Sequence, residues 1–139
     1  MRVFLDANIL FSAAKSDGAV RRLLALLLAR GHECWVDGYV LEEARRNLAA
    51  KFPDGVSALE RQRASLHVAR AHPWDPDLAV VLPVPEKDRP VLAAAIHLGC
   101  EALVTGDRSH FGALYGQTIR GVAIHSPRSL AESVLGRDS

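Results

Sequence analysis

The sequence predicts an α/β protein, a three-layer α/β/α sandwich around a central parallel sheet, and three observations predict it. Short apolar runs at 2–5, 34–37, 101–106 and 121–127 alternate with stretches whose apolar residues recur at helical spacing. Short apolar strands separated by helices imply a parallel sheet covered on both faces. No internal repeat, low-complexity tract or linker divides residues 1–139, so the chain reads as one domain with one core.

Taken in order, RVFL at 2–5 is a short buried strand. A helix follows at 17–30, with apolar residues at 20, 23, 24, 27 and 28, Ser16 or Asp17 as N-cap and Gly31 as its stop. CWVD at 34–37 is the second strand, and Asp37 at its end either caps the next helix, roughly 39–51, or adds negative charge to the rim of a ligand site at the strand ends. Pro53 ends that helix, and Asp54 caps a third that runs to about residue 71. HPWDPD at 72–77 is a loop, and AVVLPVP at 79–85 is extended, its prolines assigning it to a sheet edge. Residues 88–98 form a helix with Asp88 as N-cap, Pro90 in the first turn and Gly99 closing it. EALVTG at 101–106 and GVAIHSP at 121–127 are the last strands, and 127–135 is a terminal helix.

With 49% hydrophobic and 24% charged residues the composition is that of an ordinary globular protein. No run approaches the roughly 18 apolar residues of a membrane span; the longest, LLALLLA at 23–29, is flanked by arginines. No charged leader and cleavage site precede the first strand, so a cytoplasmic location without membrane association is expected. Cys34 and Cys100 lie among apolar neighbours, outside any CxxC or Cys/His cluster, and read as small buried hydrophobes. The net charge of +1 exerts no global pull on nucleic acid, yet 14 of the 17 cationic residues are arginine, whose planar fork suits phosphate.

Four acids carry the functional signal: Asp6, Glu43, Asp88 and Asp107 each fall where a strand ends or a helix begins. In open α/β sheets ligands bind beyond the carboxyl ends of the strands, where strand order reverses. Each acid also has a simple structural role available: Asp88 as a cap, Asp6 and Asp107 as turn residues, Glu42 and Glu43 as partners of a helix dipole. Gathered together they fit those roles less well. Two unit charges about 5 Å apart repel by roughly 3 kcal/mol at an effective dielectric of about 20, so four require protons or a cation. A hard divalent ion, Mg²⁺ or Mn²⁺, suits oxygen ligands; zinc calls for more His or Cys. Such an ion polarises a phosphoryl oxygen and makes a water nucleophilic near neutral pH, which is phosphodiester-hydrolysis chemistry. GxSxG, P-loop and GxGxxG motifs are missing, and neither cysteine has an evident His partner.

The segments VFLDANIL, VLEEARRNL, EKDRPVLAAAIHLGCEALVTGD and RSHF, in this order over nearly the whole chain, resemble the PIN domain (PilT N-terminus), a family that includes VapC-type toxin ribonucleases. The resemblance implies an α/β/α sandwich and Mg²⁺- or Mn²⁺-dependent cleavage of RNA, with Asp6, Glu43, Asp88 and Asp107 in the catalytic, metal-binding places. It further implies the toxin of a type II toxin–antitoxin pair, with a cognate antitoxin and a homodimer as partners. Glu43 is preferred because it stands five residues before Leu48, in the family's E-x-x-x-x-L helix; Glu42 is the alternative register. Asn8 and Thr105 match positions of small polar residues beside the carboxylates and are assigned hydrogen bonds that orient them. Ser109 and His110 stand where some relatives carry a further acid, which leaves open whether one or two metals bind.

Arg89 and Arg108 adjoin two of the acids and are candidates, with His110, for contact with substrate phosphate. Arg45, Arg46, Arg61, Arg63 and Arg70 read as a solvated helix face, and Trp35 and Trp74 as packing residues. Three rival readings remain. A haloacid-dehalogenase-like phosphatase wants DxD, where this chain has Asp6-Ala7-Asn8. A response-regulator receiver wants a late lysine, and Lys15, Lys51 and Lys87 do not supply it. The third is a non-catalytic PIN-like module that binds RNA or protein.

Overall fold

The computed structural model of the chain describes residues 1–70 and 82–136. Its centre is a six-stranded sheet: β1 (Arg2–Leu5), β2 (Glu33–Asp37), β3 (His67–Ala69), β4 (Ala102–Val104), β5 (Thr118–Ile119) and β6 (Val122–His125). The spatial order is β3-β2-β1-β4-β6-β5, all parallel except the β5–β6 pair at one edge. The helices are α1 (Ala7–Lys15), α2 (Ala19–Ala29), α3 (Gly38–Lys51), α4 (Gly55–Arg63), α5 (Arg89–His97), the single turn α6 (Arg108–Phe111) and α7 (Pro127–Gly136).

Val3, Phe4 and Leu5 of β1 and Leu103 and Val104 of β4 are all fully inaccessible to solvent. A strand can bury consecutive residues only if both of its faces are covered, and helices supply that cover here, in the α/β/α layering expected. The chain moves outward from β1 through β2 to β3, then crosses back to β4 on the other side of β1. Strand order therefore reverses between β1 and β4, whose carboxyl ends lead to Asp6 and Thr105.

Several elements differ from the sequence expectation. α1 was not anticipated, although Ile9, Leu10, Ala13 and Ala14 form a buried helical stripe behind the Asp6 N-cap. α2 begins later than expected, with Gly18 rather than Ser16 or Asp17 at its cap; Gly31, at φ 80°, ends it in the left-handed conformation. The third helix stops at Arg63 instead of continuing to 71, and β3 follows, paired to β2 over Trp35–His67, Val36–Val68 and Asp37–Ala69. Asp54 makes no side-chain capping bond to that helix. Trp35 is only partly buried: its ring stacks on His67 at 4.8 Å and lies under the Arg2 guanidinium.

The loop expected at 72–77, Trp74 and the first part of the extended segment lie outside the described residues; 82–84 are bends, with Leu82 and Val84 buried. β5 was also unforeseen. It folds back on β6 through Arg120 and Gly121, both at positive φ, a hairpin geometry that Asn-Gly or Asp-Gly would have announced in the sequence. Cys34 and Cys100 are free and buried, and burial pushes each thiol up to about 11. No described helix is long and apolar enough to cross a membrane.

Candidate metal and catalytic centre

Asp6, Glu43, Asp88 and Asp107 line one cleft of about 280 Å³ over the carboxyl ends of β1 and β4. Asp6 arrives directly from β1 and is 95% buried. Its Oδ1 caps α1 by accepting from the Ala7 amide at 2.7 Å; its Oδ2 accepts from Thr105 Oγ1 at 2.8 Å and from Asn8 Nδ2 at 3.3 Å. Burial pushes this carboxyl up to about 6, helped by the negative fields of Glu43 and Asp88 and opposed by the Thr105 and Ala7 bonds.

Thr105 is the hub beneath the acids. Its hydroxyl donates to Asp6 and accepts from Asn8 Nδ2 at 3.2 Å and from the Asp107 amide at 3.1 Å, while Tyr115 donates to its carbonyl. Asn8 Oδ1 accepts from the Gly106 amide at 2.7 Å, tying the start of α1 to the loop after β4. The orienting contacts expected of Asn8 and Thr105 are thus present as geometry.

Asp107 caps α6: its Oδ1 accepts from Ser109 Oγ at 2.8 Å and from the His110 amide at 3.2 Å, leaving Oδ2 toward the cleft. Burial pulls this carboxyl upward, but those two bonds and the neighbouring His110 outweigh it and hold it below its ordinary value. Asp88 behaves differently. It sits at the N-cap of α5 yet makes no side-chain capping bond, so the capping role is not what occupies its carboxylate. Burial raises its pKa, with His110 opposing.

His110, anchored by fully buried Phe111 on the same turn, puts Nδ1 2.8 Å from both Asp88 Oδ2 and Asp107 Oδ2. Neither contact has hydrogen-bond directionality, and both Nδ1 and Asp88 Oδ2 are shut off from solvent. Asp88, Asp107 and His110 form a group whose ligand atoms lie within 4.8 Å of one another, suited to a cation. Asp6 and Glu43 line the same cleft but stand outside that tight group. Among the described residues His110 is the only Lys, Arg or His side chain within ion-pair distance of any of the four carboxylates. Two inaccessible polar atoms without directed bonds, in an oxygen-rich cleft, fit a divalent ion.

The two glutamates of α3 separate cleanly. Glu43 lines the cleft, whereas Glu42 is exposed and paired with Arg45 at 2.9 Å, beside a different hollow between α3 and α4. Arg89 and Arg108 are not among the cleft's lining residues; Arg89 reaches back to the Val84 carbonyl at 3.4 Å. The cations that do line the cleft are Lys51 and Lys87, joined by Asn47, Phe11 and Ser12, none of which the sequence reading singled out. Asn47 and Lys51 follow Glu43 at four and eight residues, one face of a helix, and that spacing was visible in the sequence. Asp37 caps α3 through Val40 and does not line the cleft.

Fold and cleft together define an α/β protein with an acidic centre at the switch point of its sheet. The chain belongs to the PIN domain family, whose model matches residues 2–109. That membership displaces the dehalogenase and receiver readings. No curated protein matches by sequence. Among solved structures it is similar to VapBC2 from Rickettsia felis, bound to a DNA fragment from its promoter, with TM-score 0.68, 19% identity and coverage of 91% of this chain and 98% of that one. It is also similar to VapC20 of Mycobacterium tuberculosis, a sarcin-ricin-loop-cleaving toxin, with TM-score 0.57, 16% identity, and 80% and 93% coverage. VapBC-1 of nontypeable Haemophilus influenzae matches with TM-score 0.60, 14% identity, and 92% and 99% coverage. At these identities the likeness is one of fold.

Proposed function

We propose that the chain is a Mg²⁺- or Mn²⁺-dependent endoribonuclease and the toxin of a type II toxin–antitoxin pair. The observation that carries this reading is the convergence of Asp6, Glu43, Asp88 and Asp107 on one cleft, with no described arginine or lysine within ion-pair distance of them. Membership of the PIN family and the likeness to VapC-containing structures support the choice of chemistry.

Asp88 and Asp107 would hold the cation, with Asp6 and Glu43 facing it across the cleft. When bound, the ion polarises the scissile phosphoryl group and makes a water acidic enough to attack it. The protein's own part is positional. Thr105 and Ala7 fix Asp6 in one rotamer, and Ser109 does the same for Asp107. Asp6, held in place by those bonds, would orient the attacking water from the side of the cleft formed by β1. Lys51 and Lys87 offset the carboxylate field where the phosphate backbone enters, and Asn47 and Ser12 offer it hydrogen bonds.

The antitoxin, a homodimer and a cytoplasmic location belong to the same reading and rest on the family comparison. The test is a titration of Mg²⁺ and Mn²⁺ against end-labelled RNA, with Asp6→Asn and Asp107→Asn beside the parent. Cleavage that needs the ion and disappears in both variants supports the reading. Unchanged cleavage in both would overturn it, and binding of RNA without cleavage under any ion would favour the non-catalytic module. Co-purification with the product of an adjacent short gene tests the antitoxin.

A further inference from the structure

The centre expected from the sequence is all carboxylate, but the tightest group of potential ligands includes the His110 imidazole, which meets two of the cleft's acids from behind without itself lining the cleft. Nδ1 of His110 is 2.8 Å from Asp88 Oδ2 and 2.8 Å from Asp107 Oδ2, and the group's ligand atoms all lie within 4.8 Å of one another. Adjacent ligands on an octahedral ion with bonds of about 2.1 Å lie roughly 3 Å apart, so the nitrogen's distance to each oxygen is that of neighbouring corners of one coordination shell. Two further facts point the same way. Nδ1 and Asp88 Oδ2 are closed to solvent and meet no group but each other and Asp107, at ion-pair distance without hydrogen-bond directionality, so a cation seated between them would take the place of that contact. The backbone that carries the imidazole is also held in place: its amide donates to Asp107 Oδ1, and Phe111 next to it is fully buried.

We propose that His110 is a direct metal ligand through Nδ1, completing a two-carboxylate, one-imidazole set with Asp88 and Asp107 that prefers a transition ion such as Mn²⁺ to Mg²⁺. The preference follows from ligand type. Mg²⁺ favours oxygen and gives up water reluctantly, whereas imidazole suits first-row transition ions. This rests on the reading of the cleft as a metal centre, and it replaces the role of His110 as a phosphate contact.

The experiment uses the full chain with Mn²⁺ as probe, and its readout is spectroscopic. Pulsed electron paramagnetic resonance of the Mn²⁺ complex should show ¹⁴N coupling, replaced by ¹⁵N coupling in protein grown on ¹⁵N-histidine, a comparison that needs no variant. In His110→Gln, checked for folding by circular dichroism, the coupling should vanish. Calorimetry should then show Mn²⁺ affinity falling about tenfold or more, the scale on which even indirect partners of a ligand act, with Mg²⁺ affinity changing much less. Mn²⁺ bound without nitrogen coupling overturns the proposal while leaving a carboxylate metal centre standing. If neither ion binds at millimolar concentration, this proposal and the metal-dependent reading fall together.

Discussion

Thr105 and Asp6 stand 99 residues apart in sequence, and the Thr105 hydroxyl donates a 2.8 Å bond to the Asp6 carboxylate. The parallel pairing of β1 with β4 brings them together, Leu5 lying opposite Val104 immediately before them. The same hydroxyl accepts the Asp107 amide, so one buried side chain positions two acids from opposite halves of the chain. A site made this way depends on strand register: a slip of one residue would turn Thr105 to the other face.

Asp6 should destabilise the metal-free protein at neutral pH. Burial raises its carboxyl from 3.8 to about 6, so the folded state holds a proton that the unfolded chain releases earlier. Stability is therefore greatest below about pH 4, falls as pH rises through 4 to 6, and stays lower above; the difference is roughly 3 kcal/mol. Asp6→Asn keeps a capping side chain on α1 and removes the charge. Its melting temperature in chelator should exceed the parent's by several degrees at pH 7.5 and match it at pH 4. An Asn variant that melts no higher at pH 7.5 would contradict this account.

Replacing Thr105 with valine preserves shape and removes the shared hydroxyl. Asp6 Oδ2 and the Asp107 amide each lose a partner in a buried setting, at a cost of about 1–3 kcal/mol in urea unfolding. The bond also favours the ionised carboxylate, so its loss should move the acid-side stability change to higher pH. Thr105→Ser retains the hydroxyl and should keep the parent's pH dependence. Equal pH dependence in all three proteins would mean the hydroxyl does not govern Asp6.

The sheet was legible because its central strands are short apolar runs; Asp6, Asp88 and Asp107 stood out because each follows one of those runs or opens a helix, whereas Glu43, inside α3, stood out only through the E-x-x-x-x-L resemblance. What escaped notice depends on pairing or on neighbours. β3 is three residues long and is held by its register with β2 rather than by its own pattern. α1 carries a stripe at Ile9, Leu10, Ala13 and Ala14, but it follows β1 with only Asp6 between them, so the apolar run of the strand merges into that of the helix and masks it, and with it Phe11 and Ser12 in the cleft. Arg89 and Arg108 were chosen for adjacency to acids in sequence. A residue next to an acid along a helix turns about 100° away from it, so adjacency alone does not bring both into one cleft.

Glu42 and Glu43 give a sharp contrast within one helix turn. Glu42 is exposed and tied to Arg45, so Glu42→Gln should leave RNA cleavage and the melting temperature essentially unchanged. Glu43→Gln should lower kcat by about 10²-fold or more, the scale of losing one electrostatic contributor to a reacting phosphate. Single-turnover rates under saturating Mn²⁺ would separate the two. Equal losses, or a larger loss for Glu42, would reverse the assignment of α3's inward face.

Lys51 and Lys87 should carry the salt dependence of RNA binding that the sequence reading gave to Arg89 and Arg108. Both lysines line the cleft beside the carboxylates, and neither is within ion-pair distance of a described acid. A lysine that meets a phosphate releases a counterion, and for single-stranded RNA each such contact adds about 0.7 to the slope of log affinity against log salt. Lys51→Ala and Lys87→Ala should each shallow that slope by about this amount and raise KM with little change in kcat, because a phosphate contact away from the bond being broken binds ground and transition states alike. Arg45→Ala is the control, since its guanidinium is already committed to Glu42 on the outer face of α3. Fluorescence-anisotropy titrations from low to high KCl, with Ca²⁺ as a non-supporting ion, would measure the slopes. If the lysine variants keep the parent slope while Arg89→Ala and Arg108→Ala shallow it, the RNA backbone enters past the arginines and not through this cleft.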